Sequence, residues 1–152
     1  MTHSALPRLT LERLWQFSLQ YYGDRRIKDA CLKLQNVYGG NVNLLLLLKW
    51  LDEQKLALNQ QDLVALNRAL QRSETLLIQY RELRRQLKKE VPDSLYRESL
   101  QFELLLEKQQ QSDLVDCINQ LNLSKTSSAK LTQIYCEQLS ADSLVAIFNP
   151  SA

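Results

Sequence analysis

Tyr38-Gly39-Gly40-Asn41-Val42-Asn43, leading into Leu44-Leu45-Leu46-Leu47-Leu48, is the stretch whose reading decides the fold. A glycine pair ahead of a leucine run suits a phosphate-cradling loop, the edge of a membrane span, or a corner between packed helices. The phosphate loop needs a preceding strand and a GxGxxG or GxxxxGK[ST] pattern. This pair follows a helical pattern instead, with no Lys or Arg in the loop. The apolar stretch from Val42 to Leu51 is interrupted by Asn43 and Lys49, and is about half the length of a spanning helix. The corner remains: glycine turns the chain left-handed, and the Asn41 side chain caps the helix that follows.

Tyr22-Gly23-Asp24 has the same grammar, with an aromatic at a helix end, a left-handed glycine and a capping acid. The two corners define helices near 10–22, 25–38 and 42–55. Leu11, Leu14, Trp15, Ser18 and Tyr22 form one stripe on the first, and Ile27, Cys31, Leu34 and Tyr38 form one on the second. The third is apolar nearly all round and should be the buried centre of the fold. A long helix near 61–90 keeps a three-four spacing of Leu and Tyr, with Ser73 and Arg84 as its weak positions. Pro92 ends it. Asp93 or Ser94 then caps a fifth helix that starts near Leu95 and either stops at Gln111 or runs on to Leu121. Asn122 to Ser128 reads as a loop, with helices at 129–139 and 142–148 after it. The sequence thus predicts an all-α, single-domain bundle of about six to seven helices over 1–152. It has a buried central helix (42–55), a long helical hairpin turning at Pro92, and a frayed tail at 1–9. Folding at Pro92 should set Arg81 against Glu103 and Arg85 against Glu98.

Only 3 Gly and 3 Pro interrupt the 152 residues, and β-branched residues nowhere alternate. Net charge is +2, but residues 1–89 hold 15 Lys/Arg against 8 Asp/Glu, and the remainder 4 against 9. A basic front and an acidic back should attract each other on folding. Cys31, Cys117 and Cys136 lie in helical patterns without CxxC spacing, as buried thiols of a reducing compartment do. With no apolar signal core at the N-terminus, the expected location is the cytoplasm, away from any membrane.

The chemistry available is limited. His3, the single histidine, sits in the tail, so no Ser-His or Cys-His machinery is expected. No His/Cys/Asp/Glu group has metal-ligand spacing, so no metal and no cofactor are expected. Arg81, Arg84, Arg85 and Lys88 cluster on one helix face. They suit a phosphate backbone, a partner, or a hairpin-paired surface, and nucleic acid is the weaker reading because no aromatics are interleaved. Gln35 and Asn43 both approach the core, where an unpaired amide is costly. Either they bond each other or nearby backbone across the turn, or they line a small-molecule pocket framed by Trp15, Tyr22, Tyr38 and Trp50.

Leu14-Trp15-Gln16-Phe17-Ser18-Leu19-Gln20-Tyr21-Tyr22, Ala30-Cys31-Leu32-Lys33-Leu34-Gln35, Gly40-Asn41-Val42-Asn43-Leu44-Leu45-Leu46 and Trp50-Leu51 resemble the proteobacterial family known as domain of unknown function 2390. The resemblance runs over residues 11–55. It implies that Trp15, Cys31, Leu34, Gln35, Val42, Asn43 and Trp50 carry the family signature, and that an aspartate is usual where this chain has Asn41. It implies a small, cytoplasmic, all-helical bacterial protein and brings no activity with it. The function expected is a non-enzymatic one, exercised through a surface by self-association or partner binding. The alternative is a ligand-binding or enzymatic pocket at Gln35, Asn43 and the two tryptophans.

Overall fold

The computed structural model describes residues 8–150; His3 and most of the expected tail lie outside them. Seven α-helices and one two-residue ladder make up the described chain: α1 (Leu11–Tyr22), α2 (Arg25–Asn36), α3 (Val42–Glu53), β1 (Leu56–Ala57), α4 (Gln60–Leu87), α5 (Asp93–Ile118), β2 (Ser124–Lys125), α6 (Leu131–Gln138) and α7 (Val145–Phe148). A 3-10 turn, Asp142–Leu144, leads into α7. The fold is an all-α bundle.

Helix α3 is a wedge between two cores. Leu44, Leu47, Leu48, Trp50 and Leu51 pack with Leu14 of α1, Leu66 and Leu70 of α4 and Leu114, Val115 and Ile118 of α5. Leu45 turns the other way, into Ile27, Ala30, Cys31 and Leu34 of α2, Cys136 of α6 and Phe148 of α7. An all-round apolar helix is the sequence requirement for serving both sides. Leu9, placed by the sequence in a frayed tail, is instead buried in the first core, and Asn119 Nδ2 donates to its carbonyl at 2.9 Å.

The two glycines of the corner have different reasons. Gly39 has φ +70, the left-handed region in which a side chain is strained. Gly40 is required for space, since a Cβ there would lie 2.7 Å from Leu139 Cδ1 and 2.8 Å from Leu34 Cγ. Asn41 caps α3 as expected, accepting from Leu44 N at 2.8 Å. At the first corner the shared grammar fails. Gly23 is right-handed, with φ −67, and Asp24 alone does the capping, accepting from Arg26 N.

Asp52 on α3, buried, accepts from the N–H groups of Leu131 and Thr132, each at 2.9 Å, and so caps α6 from another helix. Lys130, the residue preceding α6, makes no side-chain cap. Asp52→Ala is expected to lower unfolding free energy by about 1–2 kcal/mol, the loss of a helix cap; urea titration of the variant checks it.

The hairpin turns at Pro92, and α4 packs chiefly on α5. Its 28 residues span roughly 42 Å. The hairpin corrects the sequence reading at two points, the cap and Arg85, and decides one that the sequence leaves open, the end of α5. Neither Asp93 nor Ser94 caps α5: Pro92 precedes it without a side-chain cap, and Asp93 pairs with Arg97 on the surface. Helix α5 runs through Ser112, because Gln110, Gln111, Leu114, Val115 and Ile118 form its continuous buried face. Arg85 stays exposed rather than pairing with Glu98, whereas Arg81 does meet Glu103. The stretch 122–128 also holds β2, which pairs antiparallel with β1, Leu56 opposite Lys125 and Ala57 opposite Ser124. Two residues are too few to carry an alternating signal.

Burial pushes the Cys31 thiol up to about 12 and the Cys136 thiol to about 11. Cys117 is only half-buried, and is raised by the same cause with help from Asp62. At about pH 8, near the ordinary thiol range, a disulfide reagent should label Cys117 of the native protein first. Cys31 and Cys136 should react only as it unfolds. Peptide mapping after timed labelling distinguishes the three.

Candidate functional site

The Asn43 amide does not meet Gln35. It reaches across the bundle to two neighbouring glutamines of α5, donating from Nδ2 to Gln110 Oε1 at 2.9 Å and accepting at Oδ1 from Gln111 Nε2 at 3.1 Å. Gln110 Oε1 also accepts from Asn41 Nδ2 at 3.0 Å, and Gln110 Nε2 donates to Ser73 Oγ of α4 at 3.0 Å. Asn41 Nδ2 donates as well to Glu74 at 2.6 Å, and Gln111 Nε2 to Ser18 Oγ of α1 at 3.0 Å. One relay of buried amides therefore ties α1, α3, α4 and α5 together where apolar contacts alone would let the helices slide.

The relay has a fixed polarity. Leu44 N–H can only donate, so Asn41 must present Oδ1 to it and Nδ2 to Glu74 and Gln110. Gln110 then accepts through Oε1, which turns Asn43 Nδ2 toward it and Asn43 Oδ1 toward Gln111. Gln111 is thus held with Nε2 inward. Among the described residues its Oε1 has no partner, although Gln111 is only 1% exposed.

Gln111 lies at the edge of a cleft of about 450 Å3 between α1, α2 and α3 on one side and the hairpin on the other. Trp15, Leu19 and Tyr22 of α1, Leu32 and Gln35 of α2, and Leu100 and Leu104 of α5 line it. Charged side chains close the hairpin side. Arg84 is hydrogen-bonded to Glu103, and Arg81 bridges Glu103 at 3.6 Å and Glu107 Oε1 at 3.1 Å. Burial pushes the Glu107 carboxyl above its ordinary value, with Arg81 pulling the other way.

Of the pocket residues expected from sequence, Trp15, Tyr22, Gln35 and Asn43 do line this cleft. Trp50 does not: it is buried in the first core, with the Arg13 guanidinium 5.9 Å from its ring. Tyr38 packs on the second core, its hydroxyl 3.4 Å from Ser143 Oγ. The expected basic face is divided. Arg81 and Arg84 turn inward onto glutamates, and Arg85 and Lys88 remain exposed. Gln110, Gln111 and Glu107 were not singled out as site residues by sequence. The available signal was an amide pair in step with the apolar face of α5. A larger hollow, about 540 Å3, lies beside Tyr21 and Lys49, but its Lys49 ammonium and Tyr21 hydroxyl already donate to the Phe148 carbonyl. Among the described residues, no three His, Cys, Asp or Glu side chains group as metal ligands, and no helix is long and apolar enough to cross a membrane.

The hairpin has a second conspicuous surface. Leu76, Tyr80, Leu83 and Leu87 on α4 and Leu95, Ser99, Phe102 and Leu106 on α5 share one four-three-four spacing, and the Tyr80 and Phe102 rings meet at 5.3 Å. Leu76, Leu83, Leu95 and Phe102 are 57, 49, 50 and 50% exposed.

These features define a small helical protein built on a buried amide relay, with a cleft above it and an apolar arm beside it. The family described as protein of unknown function DUF2390 matches residues 13–114, two thirds of the chain, and the protein belongs to that family. No curated protein matches the chain, and no solved structure does.

Proposed function

We propose that the protein acts as an interaction module whose hairpin pairs with the hairpin of a second copy. The supporting observation is the outward apolar stripe: four large side chains about half exposed share one face, and exposed apolar patches mark interaction sites. A second copy fits because α4 and α5 run antiparallel with the same stripe spacing. Rotating a copy about an axis along the hairpin lays its α4 on this α5 with stripes matched and helix dipoles opposed.

Light scattering across a dilution series is expected to give twice the chain mass. Leu83→Glu combined with Phe102→Glu should halve it without changing helicity. A strict monomer at the highest soluble concentration, or a dimer untouched by both glutamates, overturns the reading.

A further inference from the structure

The polar groups lining the cleft divide into those already engaged and those that are not. Ser18, Asn43 and Gln111 belong to the amide relay. Glu103 is held by Arg84 and Arg81, and Glu107 by Arg81, so both carboxylates already face a guanidinium. Two lining groups have no hydrogen bond or salt bridge among the described residues: the Lys28 ammonium and the Gln35 amide, both on α2. Gln35 is neutral and sets no charge preference. Lys28 lies 6.0 Å from the Tyr22 ring, at the outer limit of a cation–π contact. A second ammonium without a carboxylate partner among the described residues, Lys108 of α5, stands 4.9 Å from the Trp15 ring. The cleft therefore holds positive charge that its carboxylates do not offset, and both aromatic rings already have a cation at the face. Its open apolar surface is aliphatic instead. Leu19 and Leu32 on one wall and Leu100 and Leu104 on the hairpin wall are all exposed.

We infer that this cleft binds a small carboxylic acid with an aliphatic body, its carboxylate at the Lys28 ammonium and its body between Leu32 and Leu104. One chain then covers leucine surface on both walls, and that burial supplies most of the affinity. The head-group contact contributes less, because Lys28 is itself exposed. Its value is discrimination: a cationic head on the same body meets an ammonium instead of a partner. This site is separate from the outward apolar stripe, and its test does not depend on dimerisation.

The test is calorimetric titration of the full chain with octanoate, octylamine and acetate, all below micelle-forming concentrations. Octanoate should bind saturably and octylamine about tenfold more weakly, an attraction lost and a repulsion gained at one exposed charge. Acetate, the same head without the body, should not bind measurably. Lys28→Gln should weaken octanoate about threefold to fivefold and close most of the gap to octylamine. Leu104→Trp, a substitution at an exposed position that fills the cleft, should abolish octanoate binding while thermal unfolding stays where it was. Octylamine binding as tightly as octanoate, no saturable binding of octanoate, a preference unchanged in Lys28→Gln, or octanoate binding that survives Leu104→Trp overturns the inference.

Discussion

Gln110→Leu is expected to lower the unfolding free energy by about 3–5 kcal/mol, although leucine suits a fully buried position by volume and polarity. The glutamine side chain is 0% exposed and makes three side-chain hydrogen bonds, to Asn41, Asn43 and Ser73. Asn41 keeps Glu74 as a partner, and Ser73 keeps the Leu70 carbonyl at 3.5 Å. Asn43 Nδ2 keeps nothing, and a stranded amide donor costs far more than the bond it lost was worth. Denaturant titration measures the loss, and the double variant Asn43→Leu/Gln110→Leu identifies its cause. If the stranded donor dominates, the pair costs clearly less than the sum of the singles. Strict additivity would mean that packing, rather than the relay, accounts for the effect.

Asn41→Asp should cost about 3 kcal/mol near neutral pH, although aspartate is an equally good helix cap and is the residue the family resemblance leads one to expect there. The cap on Leu44 N–H survives the change. The two donor bonds do not: the 2.6 Å contact with Glu74 becomes carboxylate against carboxylate, and the 3.0 Å contact with Gln110 becomes two acceptors facing each other. Adding Glu74→Gln returns a donor to the pair and should recover most of the loss, as chemical denaturation of the single and double variants would show. Unaltered stability in Asn41→Asp would mean that the Glu74 contact contributes nothing.

The sequence made the helices legible and left their polar partners hidden. The cap at Asn41, the central helix α3 and the Pro92 turn follow from local rules about capping, periodicity and proline, and each is present. That Asn43 needed a partner could be argued from its place on an apolar face. Which partner it has depends on α5 crossing α3, a fact about residues 67 apart that no local pattern encodes. Ser73 and Arg84 looked like faults in the α4 seam for the same reason. They stand where α4 meets a glutamine and a glutamate of α5, so the apparent faults are its polar links. Trp50 and Tyr38 belong to the pocket alternative alone; six of the eleven aromatics fall in the first fifty residues, and such concentration cannot separate a core ring from a cleft ring.

The short ladder between Leu56–Ala57 and Ser124–Lys125 closes the chain just before α4 and just after α5. The hairpin is therefore a detour whose departure and return are stitched side by side. Beyond Ser73 and Gln110, adding or removing matched seven-residue blocks in α4 and α5 would change the arm's reach while preserving which faces point inward. The body below would keep its cores and its cleft floor. Reach is thus a property that this topology lets lineages or designers adjust without rebuilding the part of the molecule that folds around α3.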